Sequence, residues 1–327
     1  MARQDCFNPS WWMRNGHVQS CIALVGAPKI SDWQVEEITL PDGDFIDVCW
    51  YGPNDAPIII LLHGLEGSVS SHYMQITMQV LAQQGWRVCG MHYRGCSGRP
   101  NRLERCYHAG ETGDLAYLIH LLHERYPNRQ ISAVGFSMGG NILLKYLHEY
   151  PNAVLTTAVA VSVPFEIDTC LDHLAPFYRW RFLRTMKQKM LDKKTSGLKI
   201  PATEKQIKSI SSFLEFDNML TAPLHGFEDA QDYYLQSSSR HILHDINHPV
   251  LIMHAMDDPF VPACCVPKPH EVSRSVTFEV SGSGGHLGFV QASRPWSQDS
   301  WLARRIPEFL RPYCRGVYTA RGHKFKF

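Results

Sequence analysis

The feature that most restricts the fold is a run without any polar residue, Pro57-Ile-Ile-Ile-Leu-Leu62. A strand that is apolar on both faces is typical of a parallel sheet covered by helices on each side. Strand-like and helix-like segments then alternate, which predicts an α/β fold with a mostly parallel central sheet flanked by helices and wound right-handed. Further strands are predicted over residues 86–93, 131–136, 156–163, 250–255 and 276–280, and helices over 72–84, 111–125, 141–149 and 296–310.

Two segments depart from this alternation. Residues 33–51 contain two alternating stretches around Leu40-Pro-Asp-Gly-Asp44, a composition typical of a hairpin turn. Residues 164–248 lack the alternation, and a structureless loop of that length would be unusual, so we expect a helical cap inserted between two strands. The predicted domains are therefore a core, residues 1–163 and 249–327, and the cap, residues 164–248.

Composition excludes several classes of protein. The 327 residues include 32 Lys and Arg against 31 Asp and Glu, and this balance argues against nucleic acid as the main partner. Ten scattered cysteines without a C-x-x-C pattern indicate free thiols in a reducing compartment. Because the chain has neither an apolar signal-peptide core near its start nor an apolar run of about 20 residues, we expect a soluble, cytoplasmic protein.

The strongest chemical signal is Gly135-Phe-Ser-Met-Gly139, which lies between a predicted strand and a predicted helix. This G-x-S-x-G pattern places a serine on a sharp, strained turn, and its glycines allow close packing there. The N-terminus of the helix offers free N–H groups and a positive dipole end to a developing oxyanion. An ordinary strand-to-helix turn is the alternative, but the context favours Ser137 as a nucleophile.

A serine nucleophile needs a base and an orienting acid, which follow it in the order Ser, Asp, His in this type of sheet. Asp257 and Asp258 come directly after the predicted strand 250–255, and a glycine-rich loop after strand 276–280 presents His286. Taken singly, the acids could form a solvated turn and the histidine could be structural. Asp258 is favoured as the acid because the residue before Pro259 is restricted to extended conformations, whereas Asp257 is expected to face solvent or cap the following turn.

An oxyanion hole requires two N–H donors near the nucleophile. Met138 supplies the first by its position after Ser137. The second is expected from the loop His63-Gly-Leu-Glu-Gly67, with Leu65 as the donor, while His63 stabilises that loop by hydrogen bonds.

The chain resembles the YheT-type esterases of bacteria, which are related to the eukaryotic α/β-hydrolase-domain lipases. The resemblance extends from Asn15 to Pro307 and implies the α/β-hydrolase fold, esterase or acylglycerol-lipase activity, and charge-relay roles for Ser137, Asp258 and His286. The segments that carry it are Asn15-Gly-His-Val-Gln19, His63-Gly-Leu-Glu-Gly-Ser68, His92-Tyr-Arg-Gly-Cys-Ser-Gly98, Tyr107-His-Ala-Gly-Glu-Thr-Gly-Asp114, Gly226-Phe-Glu-Asp-Ala-Gln-Asp-Tyr-Tyr234, Asp257-Asp-Pro-Phe260 and Gly284-Gly-His-Leu-Gly-Phe289.

Two further patterns have alternative interpretations. His241, His244 and His248 have metal-ligand spacing, but histidines also suit the last turn of a helix, and we expect neither a metal nor a cofactor. Phe177-Tyr-Arg-Trp-Arg-Phe182 could stack on single-stranded nucleic acid or lie in a membrane interface. The four-residue spacing favours instead an apolar stripe that covers an acyl pocket, with transient membrane-surface contact by the cap as a second role. Its members are Leu174, Tyr178, Phe182, Met186 and Met190.

These observations predict a serine hydrolase that cleaves small-molecule carboxylic esters through an acyl-enzyme intermediate. A thioesterase or an amidase would use the same residues. A protein of this fold without catalysis, which only binds a ligand, is the alternative from another class. Epoxide hydrolases and haloalkane dehalogenases are disfavoured because they use a carboxylate where this chain has Ser137.

Overall fold

The computed structural model describes residues 7–23, 28–291 and 299–314. Eight strands form one sheet: β1 Gln34–Thr39, β2 Phe45–Tyr51, β3 Ile58–Leu62, β4 Arg87–Met91, β5 Ile131–Phe136, β6 Leu155–Val161, β7 Val250–Ala255 and β8 Val276–Ser281. Their order is β1-β2-β4-β3-β5-β6-β7-β8. The predicted hairpin forms the antiparallel pair β1 and β2, and β2 is also antiparallel to β4. The other five pairs of neighbouring strands are parallel. The predicted fold class is confirmed.

Eleven α-helices occur in the described ranges. They are α1 Gly16–Ile22, α2 His72–Gln83, α3 Gly113–Arg125, α4 Met138–Glu149, α5 Ile167–His173, α6 Pro176–Thr195, α7 Glu204–Ser209, α8 Phe213–Phe216, α9 Ala222–His225, α10 Ala230–Ser237 and α11 Trp301–Leu310. None of the helices in these ranges is long and apolar enough to cross a membrane. The nine cysteines within them are free thiols.

The apolar run from Pro57 to Leu62 includes β3, which lies at the centre of the sheet. All five residues of β3 are fully buried. Ile58, Ile60 and Leu62 pack into the hydrophobic cluster on one face, and Ile59 and Leu61 pack into the cluster on the other. Full burial of each such side chain stabilises the fold by about 1.5–3 kcal/mol. A polar side chain in β3 would lose its contact with water, which costs free energy unless a hydrogen bond replaces it, and this explains the apolar composition of the strand.

Two helices begin where the sequence pattern did not place them. Helix α4 starts at Met138, directly after Ser137, rather than at residue 141. The reason is the tight turn: a Cβ atom on Gly139 would lie 2.6 Å from the carbonyl oxygens of Leu62 and His63, so glycine permits a helical start against β3. Helix α11 begins at Trp301, with the Ser300 side chain accepting a hydrogen bond from the Ala303 N–H group. Residues 296–298 of the predicted helix lie outside the described residues.

Between β6 and β7 the chain forms helices α5–α10, a π-helical turn Asp217–Thr221 and a 3-10 helix Arg240–Asp245. We call residues 164–248 the cap. The cap contains a hydrophobic cluster of its own, which includes Leu183, Met190 and Phe213. Leu174, the first residue of the predicted stripe, is buried but lies directly after α5 and outside α6, because α6 begins only at Pro176.

Candidate active site

Ser137 lies at the turn between β5 and α4 in an unusual backbone conformation. Its φ and ψ are 54° and −123°, outside the regions that residues with a side chain prefer. The turn is held by the Ser137 N–H group, which donates to the Val161 carbonyl at 2.8 Å. A Cβ atom on Gly135 would lie 2.3 Å from the Gly139 carbonyl oxygen, so the first glycine of the pattern permits the sharp turn. The strand and helix therefore hold the serine hydroxyl at the edge of the sheet.

The structure brings Ser137, His286 and Asp258 together. The Ser137 Oγ atom lies 3.0 Å from Nε2 of His286. On the other side of the ring, Nδ1 lies 2.9 Å from Oδ2 and 3.1 Å from Oδ1 of Asp258. The three residues follow strands β5, β8 and β7, whose carboxyl ends meet at one edge of the sheet. This chain of hydrogen bonds can move a proton from a hydroxyl to an imidazole that a carboxylate orients.

The carboxylate of Asp258 is buried and negatively charged. Burial by itself raises its pKa, but the neighbouring His286 and the Phe260 N–H group, which donates to Oδ1 at 2.8 Å, lower it further than burial raises it. The net pKa therefore lies below the ordinary value for aspartate. Near neutral pH this group stays ionised, and it can stabilise positive charge on His286.

Asp257 has a different role from the one expected. It does not face solvent or cap the following turn. Its Oδ1 atom accepts a hydrogen bond of 2.8 Å from the Gly285 N–H group, at the base of the loop that carries His286. Helix α1 covers it, since a Cβ atom on Gly16 would lie 1.8 Å from the Asp257 carbonyl oxygen. Solvent cannot reach this position freely, and burial raises the pKa of Asp257.

The loop after β3 presents Leu65 beside the serine. The N–H groups on either side of Leu65 are engaged: that of Gly64 donates to the Tyr73 hydroxyl, and that of Glu66 to the Tyr107 hydroxyl, both at 2.9 Å. Within the described ranges the N–H groups of Leu65 and Met138 have no acceptor. Both residues line the same cavity as Ser137. Two free donors therefore lie near the hydroxyl, at the positions expected from the sequence.

His63 stabilises this loop, as expected. Its Nδ1 atom lies 2.8 Å from the Gly64 carbonyl oxygen, and its Nε2 atom accepts a hydrogen bond of 3.4 Å from the Tyr93 N–H group. Burial lowers the pKa of His63 to about 3. The ring is therefore neutral at ordinary pH, and both nitrogens are used for structural hydrogen bonds.

Sequence reasoning missed the contribution of helix α1. The Ser20 hydroxyl oxygen accepts a hydrogen bond of 2.8 Å from the His286 N–H group. The Gln19 side chain donates to the Val290 carbonyl and accepts from the Val290 N–H group, at the far end of the same loop. The Phe260 ring stacks on His286, with centroids 4.2 Å apart. Nothing in the local sequence signals these contacts, although the motif Asn15–Gln19 coincides with the helix that makes them.

A cavity of about 940 Å³ opens above the serine and histidine. Its cap side includes Tyr178, Phe182 and Met186 of α6. A smaller cavity of about 270 Å³ lies between the cap and the core, with Leu65 and Met138 in its wall as well. Four of the five residues of the predicted stripe therefore line the active-site cavity, whereas Met190 lines the smaller one.

The histidines with metal-ligand spacing are not grouped. His241 and His244 are exposed on the 3-10 helix Arg240–Asp245, and the Nε2 atom of His248 lies 3.2 Å from the Ala153 carbonyl oxygen. In the described part of the chain, no three or more His, Cys, Asp or Glu side chains are placed to hold one metal ion.

Comparison with known proteins places the chain among hydrolases. The sequence model of the family described as alpha/beta hydrolase fold matches residues 57–293. The candidate esterase YheT of Escherichia coli strain K12 is 35% identical over 320 residues, covering 94% of this chain and 93% of its own length. Phospholipase ABHD3 of Bos taurus is 26% identical over 322 residues, covering 94% of this chain and 78% of its own length.

Among solved structures, an esterase of Pyrococcus furiosus superposes with a TM-score of 0.56 at 17% sequence identity. The match covers 86% of this chain and 93% of that chain, and at this identity it shows the fold alone. The extent of the family match and the close similarity to YheT are sufficient for assignment. The chain belongs to the α/β-hydrolase family and, within it, to the YheT-type proteins.

Proposed function

We propose that this protein is a serine hydrolase of carboxylic esters, in which Ser137, His286 and Asp258 form the catalytic triad. The observation that carries the proposal is the chain of hydrogen bonds from Asp258 through His286 to the Ser137 hydroxyl, at the floor of a cavity with apolar walls. The relatives support an esterase or lipase type of hydrolase at the coarser level.

In the first half of the reaction, the Ser137 hydroxyl attacks the ester carbonyl carbon while His286 accepts its proton at Nε2. The negative charge that develops on the carbonyl oxygen is stabilised by the N–H groups of Leu65 and Met138, the proposed oxyanion hole. His286 then donates its proton to the departing alcohol, which leaves an acyl group on Ser137.

In the second half, a water molecule enters the place of the alcohol and His286 accepts its proton. The resulting hydroxide attacks the acyl carbonyl, and Ser137 leaves with the proton returned from His286. Asp258 holds the ring orientation and stabilises the imidazolium in both halves. Because its buried carboxylate has a lowered pKa, it keeps its charge while the histidine is protonated.

The cavity favours esters with an apolar acyl or alcohol part. Its walls combine Tyr178, Phe182 and Met186 with Leu171 and Phe213, all from the cap. A buried CH₂ group contributes about 0.8 kcal/mol to binding, so a chain of several carbons would bind tightly here. The phospholipase activity in the name of one relative agrees with a lipid ester, which we propose as the substrate class.

Two other functions use the same geometry. A thioesterase or an amidase would need only a different leaving group. A binding protein without catalysis would need no strained serine at hydrogen-bond distance from a histidine, and for that reason we favour the enzyme.

Hydrolysis of p-nitrophenyl acetate by the purified protein and by Ser137→Ala tests the proposal. We expect the variant to lose about 10⁵–10⁶-fold in kcat without unfolding. Ser209→Ala, which changes an exposed serine of α7, serves as the matched control and should keep full activity. A Ser137→Ala variant that kept a tenth of the activity would show that another group is the nucleophile.

A further inference from the structure

The outer face of α6 exposes aromatic rings and cations together. Phe177 and Trp180 are 62% and 56% exposed, which is unusual for side chains of this size. Arg181 and Arg184 are exposed on the same face, because residues three or four positions apart align on a helix. The Arg184 guanidinium lies 5.4 Å from the Trp180 ring centroid. We call Phe177, Trp180, Arg181 and Arg184 the α6 stripe.

The charge of this helix has one sign over most of its length. Residues 176–191 contain five Lys or Arg and no Asp or Glu. Within the described ranges, neither Arg181 nor Arg184 forms an ion pair with a carboxylate. The stripe is therefore locally cationic on a protein whose formal net charge is only +1.

A groove of about 570 Å³ runs beside the stripe, between α6 and residues 208–211 at the end of α7. Trp180 and Leu183 give it an apolar wall, while Arg184, Lys187 and Lys208 line it with cations. Apolar and cationic groups alternate here over a short distance. This combination is complementary to a lipid, which offers acyl carbons and a phosphate within a few ångströms of each other.

The stripe is continuous with the mouth of the active-site cavity. Tyr178, Phe182 and Met186 project from the same helix into the cavity. Arg181 belongs to both surfaces, since it is exposed on the stripe and also lines the cavity. A surface that covers the stripe would therefore lie at the entrance through which an ester reaches Ser137.

We propose that the α6 stripe docks on a lipid bilayer that contains anionic lipids. Phe177 and Trp180 enter the headgroup region, where aromatic rings are favoured, and Arg181 and Arg184 contact lipid phosphates. The orientation presents the cavity mouth to the membrane, so that a lipid ester can enter it directly. The docking surface is separate from the proposed triad, and the docking proposal would hold even if the triad cleaved another bond.

Co-sedimentation with vesicles tests the docking surface. We use vesicles of phosphatidylcholine alone and of phosphatidylcholine with phosphatidylglycerol. The unaltered protein should bind the anionic vesicles, and added salt should weaken binding because it screens the arginines. The double variant Phe177→Ala/Trp180→Ala should lower the partition coefficient at least tenfold, and Arg184→Gln about fivefold.

The control is Leu235→Ala, which removes another exposed apolar side chain, 71% exposed on α10. It should bind the vesicles like the unaltered protein. Phe177, Trp180 and Arg184 do not line the active-site cavity, so all variants should hydrolyse p-nitrophenyl acetate normally, which also shows that they fold.

Three results would overturn the proposal. One is the absence of binding to anionic vesicles, and another is an equal loss of binding in Leu235→Ala. The third is tighter binding of a single-stranded oligonucleotide than of vesicles, lost in the double variant, because the stripe would then be a nucleic-acid site. Vesicle binding by a protein without esterase activity would uphold the docking surface and contradict only the proposed function.

Discussion

The two sides of the active-site cavity are built differently. On the core side, Ser137, Asp258 and His286 follow strands β5, β7 and β8, and hydrogen bonds of both the side chain and the backbone hold each of them. On the cap side, Tyr178 and Phe182 are only half-buried, and ring contacts with Phe260 connect them to the core. We infer from this difference that the sheet positions the proposed triad, whereas the cap can vary the shape of the cavity without disturbing those three residues.

A few polar contacts join the two sides. The Lys189 ammonium of α6 lies 2.8 Å from Oε1 of Glu66, in the loop of the proposed oxyanion hole. The same oxygen accepts a hydrogen bond of 2.6 Å from the Tyr107 hydroxyl. Lys193, one helical turn further, donates to the carbonyl oxygens of Leu103 and Arg105. These polar contacts add to an apolar layer that the cap and the core share, in which Phe165, Tyr233 and Leu243 of the cap pack with core side chains.

Among variants that keep Ser137, the largest expected effect lies on the core side and separates two adjacent acids. Asp258→Asn should lower kcat by about 10³–10⁴-fold, because His286 loses its orientation and the stabilisation of its positive charge. Asp257→Asn is the matched control, since an asparagine oxygen can still accept from the Gly285 N–H group, and it should cost less than about tenfold. Steady-state kinetics on p-nitrophenyl acetate measure both. A larger loss in Asp257→Asn would assign the role of the acid to Asp257.

The second prediction concerns stability on the cap side. Burial raises the pKa of Asp217 to about 6, while its Oδ atoms accept hydrogen bonds from the Thr221 and Tyr234 hydroxyls. The native state therefore binds the proton more tightly than the unfolded chain, whose aspartate pKa is close to 3.8. The contribution of Asp217 to the free energy of unfolding is therefore largest below pH 3.8. It falls by up to about 3 kcal/mol as the pH rises through about 6.

Asp217→Asn should remove this dependence, so that the variant is more stable than the unaltered protein at pH 7 and not at pH 4. Urea unfolding at a series of pH values measures the difference. Asp168→Asn, at an exposed position in α5, is the control and should show no such trend. A variant less stable at pH 7 would mean that the hydrogen bonds of the ionised carboxylate outweigh its burial.

The third prediction tests whether the cap side controls substrate choice. Phe182→Ala should change the preference between long-chain and acetyl p-nitrophenyl esters by about tenfold, because it removes apolar contact with the distant part of the chain. Turnover of the acetyl ester should change little. Measurement of kcat/KM over a series of acyl lengths tests this prediction. An unaltered profile would mean that the acyl group binds elsewhere, for example in the smaller cavity behind Leu65.

The smallest effect is expected where helix α1 contacts the loop that carries His286. Ser20→Ala removes the acceptor for the His286 N–H group and should lower kcat a few-fold, with KM nearly unchanged. Ser20→Thr keeps an acceptor and should restore part of the rate. Equal rates in all three proteins would show that the other contacts of the loop suffice.

Much of the core could be predicted from the sequence because its signals are local. The buried strands are apolar runs bounded by turns, and the three residues now found together follow those strands within a few positions. The parallel arrangement then requires that strand ends meet at one edge. The exact start of α4 was missed, because it depends on how closely Gly139 approaches β3 rather than on helical periodicity.

Contacts between distant parts of the chain could not be predicted. Ser20 and His286 are separated by 266 positions, and Glu66 and Lys189 by 123. Asp257 was expected in solvent because nothing near it in sequence indicates that α1 covers it. In the cap, the four-residue spacing identified the inward face of α6, although Leu174 belongs to the preceding segment.

The reactivity of Ser137 tests the central claim most directly. A fluorophosphonate reacts with a serine only where a neighbouring base activates it, and intact-protein and peptide mass spectrometry identify the modified residue. We predict one adduct per chain, on the peptide that contains Ser137, with loss of esterase activity in proportion to labelling. Ser137→Ala should give no adduct, and His286→Ala should react much more slowly. Labelling at another serine, or full ester hydrolysis by protein whose Ser137 is completely modified, would contradict the claim.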